Sequence, residues 1–358
     1  MMRFGFACRA VAALCCAAIL AACSSLPDRG PASAGAKYVN PVLGSDFPDP
    51  AVLRAPDGWI YAYATQTHTD VRVLNIQVAR SRDLVTWTDL GDALPRKPGW
   101  AATKQNLWAP HVIHDPQRNA YFMYYSAEPD HARGKCLAVA VSGSPLGPFE
   151  DSGSPMICGN GNEHIDPMAF DDPQTGKRLL YWGGGGKPIR VQELAPDRTS
   201  FLPGSMPRPL VFPDAQSTYA SLVEGAWVSY RHGSYYLYYS GDKCCSPEPS
   251  YAVMVARAPS ALGPFESYRG PESDRIGAIL ARNGFWTAPG HNSVITDDAG
   301  QDWMLYHAVD PASKRPGGRI ADRVLLIDPI SYRDGWPIVA GPSAGLRDAP
   351  VMRNGVPQ

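Results

Sequence analysis

Charge is scarce along this chain. Asp, Glu, Lys and Arg together make up 19% of its 358 residues and nearly cancel, 33 basic against 34 acidic. Such a balance supplies no basic surface for a phosphate backbone and argues against nucleic acid as a partner. Long hydrophobic runs are also missing beyond the first two dozen residues, where nothing approaches the roughly 18 consecutive apolar residues of a membrane-crossing helix. Sustained helical periodicity is absent too: 35 Pro and 34 Gly interrupt any stretch long enough to carry it. The eight cysteines show no spacing that resembles a zinc site.

Residues 1–22 lack acid altogether. Arg3 and Arg9 precede the apolar stretch AVAALCCAAILAA, too short for a span, and the segment reads as an export signal. It closes with LAAC, Leu20 to Cys23, which resembles a bacterial lipobox. Cleavage before Cys23 and acylation of that cysteine are therefore expected, with an ordinary small-residue cleavage site as the alternative. Residues 23–36 are rich in Ser, Gly, Pro and Ala and suit a flexible tether. Residues 37–358 are expected to form one domain, exported and held as an outer-membrane lipoprotein or free in the periplasm. Its membrane contact would come only through the lipid at Cys23. With the leader gone, 31 basic residues face 34 acidic ones, and Cys136, Cys158, Cys244 and Cys245 remain to pair in an oxidising compartment. Cys136 and Cys158 both lie in or just past one repeat and are expected to pair. Cys244 and Cys245 either form a vicinal disulfide or stay as thiols.

What the chain does have is a repeated phrase. PDPAVLRAPDGWIYAYAT (48–65) returns as WAPHVIHDPQRNAYFMYYS (108–126), IDPMAFDDPQTGKRLLYWGG (165–184), VEGAWVSYRHGSYYLYYSG (223–241) and GHNSVITDDAGQDWMLYHA (290–308). Each copy reads as two alternating strands around a turn of Asp, Gly, Asn or Pro. Several copies are followed by a further phrase that supplies a third strand and a short fourth, such as VARSRDLVTWTDLG (78–91). Five copies of about four strands each predict an all-β, five-bladed β-propeller, with a β-sandwich as the alternative.

One residue stands at the mouth of each copy: Asp49, His111, Asp166, Glu224 and His291, spaced by 62, 55, 58 and 67 residues. The first strand of a propeller blade lines the central channel, so these side chains are expected to converge on one axis. An Asp before Pro is also a common turn former; three carboxylates in one repeated phrase point instead to a shared site. The 17 Tyr and nine Trp offer rings on which a sugar could stack.

In chain order, NPVLGSDFPDPAV, LWAPHV, HIDPMAF, VEGAWV, GHNSV and RVLLIDPISYRDGWPIV resemble the motif series of the family 43 glycoside hydrolases, over about residues 39–341. The resemblance implies an inverting mechanism on arabinofuranose- or xylose-containing plant cell-wall glycans. It implies Asp49 as general base, Glu224 as general acid and Asp166 as the carboxylate that tunes the acid and orients the sugar. Inversion needs one acid and one base on opposite faces of the sugar, roughly 6.5–9.5 Å apart. His111 stands where many relatives carry Asp and is expected at a sugar contact or as a channel-wall residue. Arg323 resembles a substrate-reaching arginine, while Phe47 and Trp108 could floor a sugar ring. His291 resembles a histidine near an axial calcium ion in arabinan-acting relatives; no cofactor is otherwise required. An oligosaccharide or polysaccharide is the expected partner.

The stretches DKCC (242–245) and APGHNSVI look more like arabinan-acting members. Release of arabinofuranose is thus the first expectation and β-xylosidase action on xylo-oligosaccharides the second. A non-catalytic glycan-binding propeller would be expected to lack a carboxylate. A fructan-cleaving hydrolase would carry Asn-Asp-Pro-Asn and Arg-Asp-Pro strings, which do not occur here.

Overall fold

Each repeated phrase folds into the first two strands of one four-stranded antiparallel blade. A computed structural model describes residues 1–2, 35–270, 275–313 and 321–352; the leader, Cys23 and most of the tether lie outside the described residues. Blade one comprises Ala51–Arg54, Ile60–Ala64, Gln77–Ser81 and Trp87–Asp92. Blade two comprises Trp108–Asp115, Ala120–Ala127, Cys136–Ser142 and Glu150–Asp151, with Ile157–Cys158 added to its third strand. Met168–Asp171, Arg178–Trp182, Ile189–Glu193 and Arg208–Val211 make blade three. Val223–Arg231, Ser234–Gly241, Ala252–Ala258 and Glu266–Ser267 make blade four, with Ala278–Leu280 beside its third strand. Blade five runs through Thr287–Thr296, Asp302–Val309, Arg323–Arg333 and Trp336–Val339. The innermost strands touch in the order one, two, three, four, five and back to one, which closes a five-bladed propeller.

The second strands depart from the expected alternation. Ile60–Ala64 and Asp302–Val309 are buried at every position. A blade is covered on both faces by its neighbours, so its central strands have no wet side, and a continuous apolar run replaces the alternating pattern. Tyrosines fill the wedges between blades and hand their hydroxyls across: Tyr63 to Pro145 O (2.6 Å), Tyr124 to Arg198 O (2.7 Å) and Tyr181 to Ala261 O (2.7 Å). A buried phenol needs such a partner. Much of the aromatic surplus is therefore core rather than a sugar platform.

The ends of the ring are sewn by the chain before blade one. Lys37–Tyr38 pairs with Arg347–Asp348, Val42 N–H donates to Leu325 O (2.9 Å) and Phe47 N–H to Arg323 O (2.8 Å). This seam brings Arg323 to the mouth of blade one. Cys136 pairs with Cys158 in a disulfide that clamps the added strand of blade two, and Cys244 is joined to Cys245.

Candidate active site

Every inner strand is entered through a residue in the left-handed backbone region: Asp49 (φ 57°), Ala109 (46°), Asp166 (58°), Gly225 (62°) and His291 (46°). These are the structurally equivalent positions. The expected register is thus corrected on two blades: His111 lies two residues beyond its blade's entry and Glu224 one residue before. In blades two, four and five the pairing register shifts at this point. Such bulges re-aim side chains, and here Gly225, free to take positive φ, turns the strand just after Glu224.

A latch fixes most entries. The entry N–H is caught by a side chain at the end of the preceding blade's second strand: Ala109 by Thr65 Oγ1 (2.8 Å), Asp166 by Ser126 Oγ (3.1 Å), His291 by Ser240 Oγ (2.8 Å) and Asp49 by His307 Nδ1 (3.1 Å). Between blades three and four the latch residue is Gly183, where a Cβ would stand 2.8 Å from the Ile189 backbone. The N–H of Gly225 donates to Asp166 Oδ2 instead (2.9 Å).

The three carboxylates have unlike surroundings. Asp49 Oδ1 receives Arg323 Nη1 (3.0 Å) and faces Nδ1 of His307 (3.3 Å) and of His291 (3.4 Å), while Oδ2 accepts the Thr65 hydroxyl (2.6 Å). Burial alone would raise Asp49, but the Arg323 cation and the imidazoles hold it well below the usual carboxylate range. Asp166 is pushed well above that range by burial and then by the charges of Glu224 and Asp49. Glu224 is pushed up to about 7, chiefly by burial, with Asp49 adding and the Tyr251 hydroxyl and Arg323 opposing. Tyr251 donates to Glu224 Oε1 (2.8 Å), and its ring lies so close to Gly290 that a Cβ there would come within 2.0 Å of it. At neutral pH the site therefore holds an ionised Asp49 facing a carboxyl pair that keeps a proton, the split that acid–base work requires.

His291 spans the axis, its Nδ1 3.4 Å from Asp49 and 3.8 Å from Asp166 Oδ2. Burial pushes it down to about 4, so it is neutral at working pH. His291, His111 and Asn292 line one small pocket with residues of all five blades, and both amide atoms of Asn292 are buried there with no protein partner among the described residues. Calcium takes six to eight oxygens. This pocket brings one amide oxygen, two imidazoles and Asp166, whose Oδ2 already takes an N–H, and no metal-holding group of three or more His, Cys, Asp or Glu is found among the described residues. The donor set does not fit calcium.

Phe47, His111 and Trp108, the other expected sugar contacts, are engaged largely by the protein itself, which for His111 is the channel-wall alternative. Phe47 is only 2% exposed and belongs to the core. His111 is buried against Trp227, accepts the Ala169 N–H on Nδ1 (3.3 Å) and is pushed down to about 3 by burial, so it braces blades two and three. Trp108 is half-buried and has Lys135 Nζ 3.3 Å from its ring centroid, so one stacking face is taken. Lys135, which donates to Asn106 O (3.0 Å), is pushed down to about 7 by burial.

Sequence reasoning missed Tyr251, His307, Thr65 and Lys135. His307 and Thr65 could have been found by comparing the ends of the second strands, where Ser126 and Ser240 occupy the same place. Tyr251 and Lys135 lie outside the repeated phrase and carry no such signal.

The family model for glycosyl hydrolases family 43 matches residues 38–337. Beta-D-galactofuranosidase xynD of Aspergillus niger is 32% identical over 76% of this chain and 76% of its own length. The probable arabinan endo-1,5-alpha-L-arabinosidase B of Aspergillus flavus is 26% identical over 88% of this chain and 95% of its own. A thermostable family-43 glycoside hydrolase superposes with a TM-score of 0.71 at 29% identity, covering 87% of this chain and 99% of that one. The alpha-L-arabinanase of Cellvibrio cellulosa, complexed with arabinohexaose, shares the fold with a TM-score of 0.67 at 22% identity over 82% of this chain and 95% of its own. By its motifs, its five blades and these matches, the chain belongs to glycosyl hydrolases family 43.

Proposed function

We propose that this glycoside hydrolase releases arabinofuranose units from arabinan or related plant cell-wall glycans with inversion at the anomeric carbon. The observation that carries the reading is the opposed titration of two carboxylates on non-adjacent blades: Asp49 of blade one is held ionised, and Glu224 of blade four is pushed up to about 7. Asp49 Oδ1 takes a proton from water as that water attacks the anomeric carbon. Glu224 gives its proton to the departing glycosidic oxygen from the opposite face. Repulsion between Asp166 and Glu224 favours a proton held on the pair, and Asp166 fixes the turn after the acid by accepting the Gly225 N–H. Arg323 and Thr65 hold the two oxygens of the base.

The substrate reading is supported by two relatives, a beta-D-galactofuranosidase and a probable arabinan endo-1,5-alpha-L-arabinosidase. A galactofuranoside is the second reading, favoured by the 32% identity to the Aspergillus niger enzyme. A side-by-side assay on linear arabinan, an aryl α-L-arabinofuranoside, an aryl β-D-galactofuranoside and an aryl β-xyloside tests the choice. The arabinofuranosyl substrates are expected to lead by at least about ten-fold in kcat/KM. A lead for the xyloside would replace this reading with the β-xylosidase one. Export through the 1–22 leader and attachment at Cys23 belong to the same proposal, and Cys23→Ser is expected to free the protein from the membrane fraction.

A further inference from the structure

One covalent feature outside the carboxylate cluster reaches the same site. Residues 242–250 leave blade four after Ser234–Gly241 and close on themselves, with Ser250 N–H on Lys243 O (2.9 Å) and the Ser250 hydroxyl on Asp242 Oδ2 (2.7 Å). Within this loop Cys244 and Cys245 are joined to each other. Arg323 comes from blade five. Its backbone is pinned on both sides, the N–H donating to Asp46 Oδ1 (3.0 Å) and the carbonyl accepting from Phe47 N–H (2.8 Å). Its side chain, 14% exposed, then reaches to the base, and a long flexible side chain costs entropy to hold in one rotamer. The guanidinium Nη1 meets two groups at its end, Asp49 Oδ1 at 3.0 Å and Cys245 Sγ at 3.5 Å.

We propose that the Cys244–Cys245 disulfide is a positioning element of the active site: it backs the Arg323 guanidinium and, through it, holds Asp49 Oδ1 in the place where the water proton is taken. Two adjacent residues locked in one small ring cannot turn independently, so the seat they offer is already ordered when substrate arrives. Sulfur is a weak acceptor; the contribution is the fixed surface more than the hydrogen bond. The inference rests on the reading of Asp49 as the base.

The test uses the mature chain carrying Cys244→Ala with Cys245→Ala, then Cys244→Ala alone, Arg323→Ala, the combination with Arg323→Ala, and Asp49→Asn, all assayed on the best aryl furanoside. Loss of the disulfide is expected to lower kcat about ten-fold with KM held within about two-fold, because positioning of the base acts in the transition state. That loss is expected to vanish in the Arg323→Ala background, since groups acting as one unit are not additive. A raised KM with unchanged kcat, an unchanged rate, or a loss that persists without Arg323 would each overturn the proposal. Should the double variant melt at a lower temperature, Cys244→Ala decides alone: it opens the disulfide yet leaves the Cys245 sulfur by Arg323, and the same kcat loss is expected. An inactive Asp49→Asn beside disulfide variants of wild-type rate would sink only this inference. An active Asp49→Asn would sink it together with the base assignment.

Discussion

Four of the five blade junctions are closed by a serine, threonine or histidine that catches the next blade's entry N–H, and the junction between blades three and four is not. There Gly183 has no room for a side chain, and the carboxylate of Asp166 takes over the latch by accepting Gly225 N–H. On the proposed reading, the acid–base groups grow out of a structural repeat. At Ser126 and Ser240 the junction serves assembly, while the Thr65 hydroxyl catches Ala109 N–H and also donates to Asp49 Oδ2. Where the latch is a carboxylate, the same hydrogen bond fixes the turn that aims Glu224, and a negative group is gathered beside the acid.

The largest effects are expected where the latches meet the base and the acid. Asp49→Asn should reduce turnover by at least about a thousand-fold on every substrate, because no other ionised carboxylate is placed to take the proton. Glu224→Gln should be nearly as damaging on arabinan yet spare aryl glycosides, whose leaving groups need little protonation. Steady-state rates on the two substrate types check both.

Next comes the carboxylate latch itself. Asp166→Asn keeps an oxygen for Gly225 N–H and removes only the charge, so it separates the latch from the electrostatics. Repulsion between two carboxylates is reciprocal, so its loss should lower the pKa of Glu224. The basic limb of the pH profile, expected near the acid's value of about 7, should move to lower pH with kcat down about ten-fold or more. Tyr251→Phe removes a donor that stabilises ionised Glu224 and should move the same limb to higher pH. Two shifts of opposite sign are expected; a common direction would mean that Asp166 and Tyr251 do not act on Glu224 in opposite senses. The ordinary latches should give the smallest effects: Ser126→Ala and Ser240→Ala are expected to cost about 1 kcal/mol of stability each, read by denaturant unfolding, with turnover changed only a few-fold.

Much of this was legible in the sequence, and the unread part has physical reasons. The five phrases revealed the blades because each blade repeats the same burial problem, and the Asp-Pro entries of blades one and three marked Asp49 and Asp166 directly. Glu224 was legible too, although its place one residue ahead of the entry was not, since a bulge changes register without changing composition. The register of His111 was hidden for the same reason, although its channel-wall alternative is the one the structure shows. Phe47 looked like a sugar floor beside the base motif, but closing the ring buries it in the seam with blade five. Tyr251 reaches Glu224 from outside the repeat, and Arg323 and Cys245 come together from different blades, so no pattern along the chain joins them.

The stereochemistry of hydrolysis decides between a base that acts on water and a nucleophile. Proton NMR of the first sugar released from an α-L-arabinofuranoside, followed before mutarotation, should show the β anomer growing first, because water delivered by Asp49 enters opposite the oxygen protonated by Glu224. Initial appearance of the α anomer would mean retention through a covalent intermediate and would contradict the assignment of Asp49 as a base acting on water.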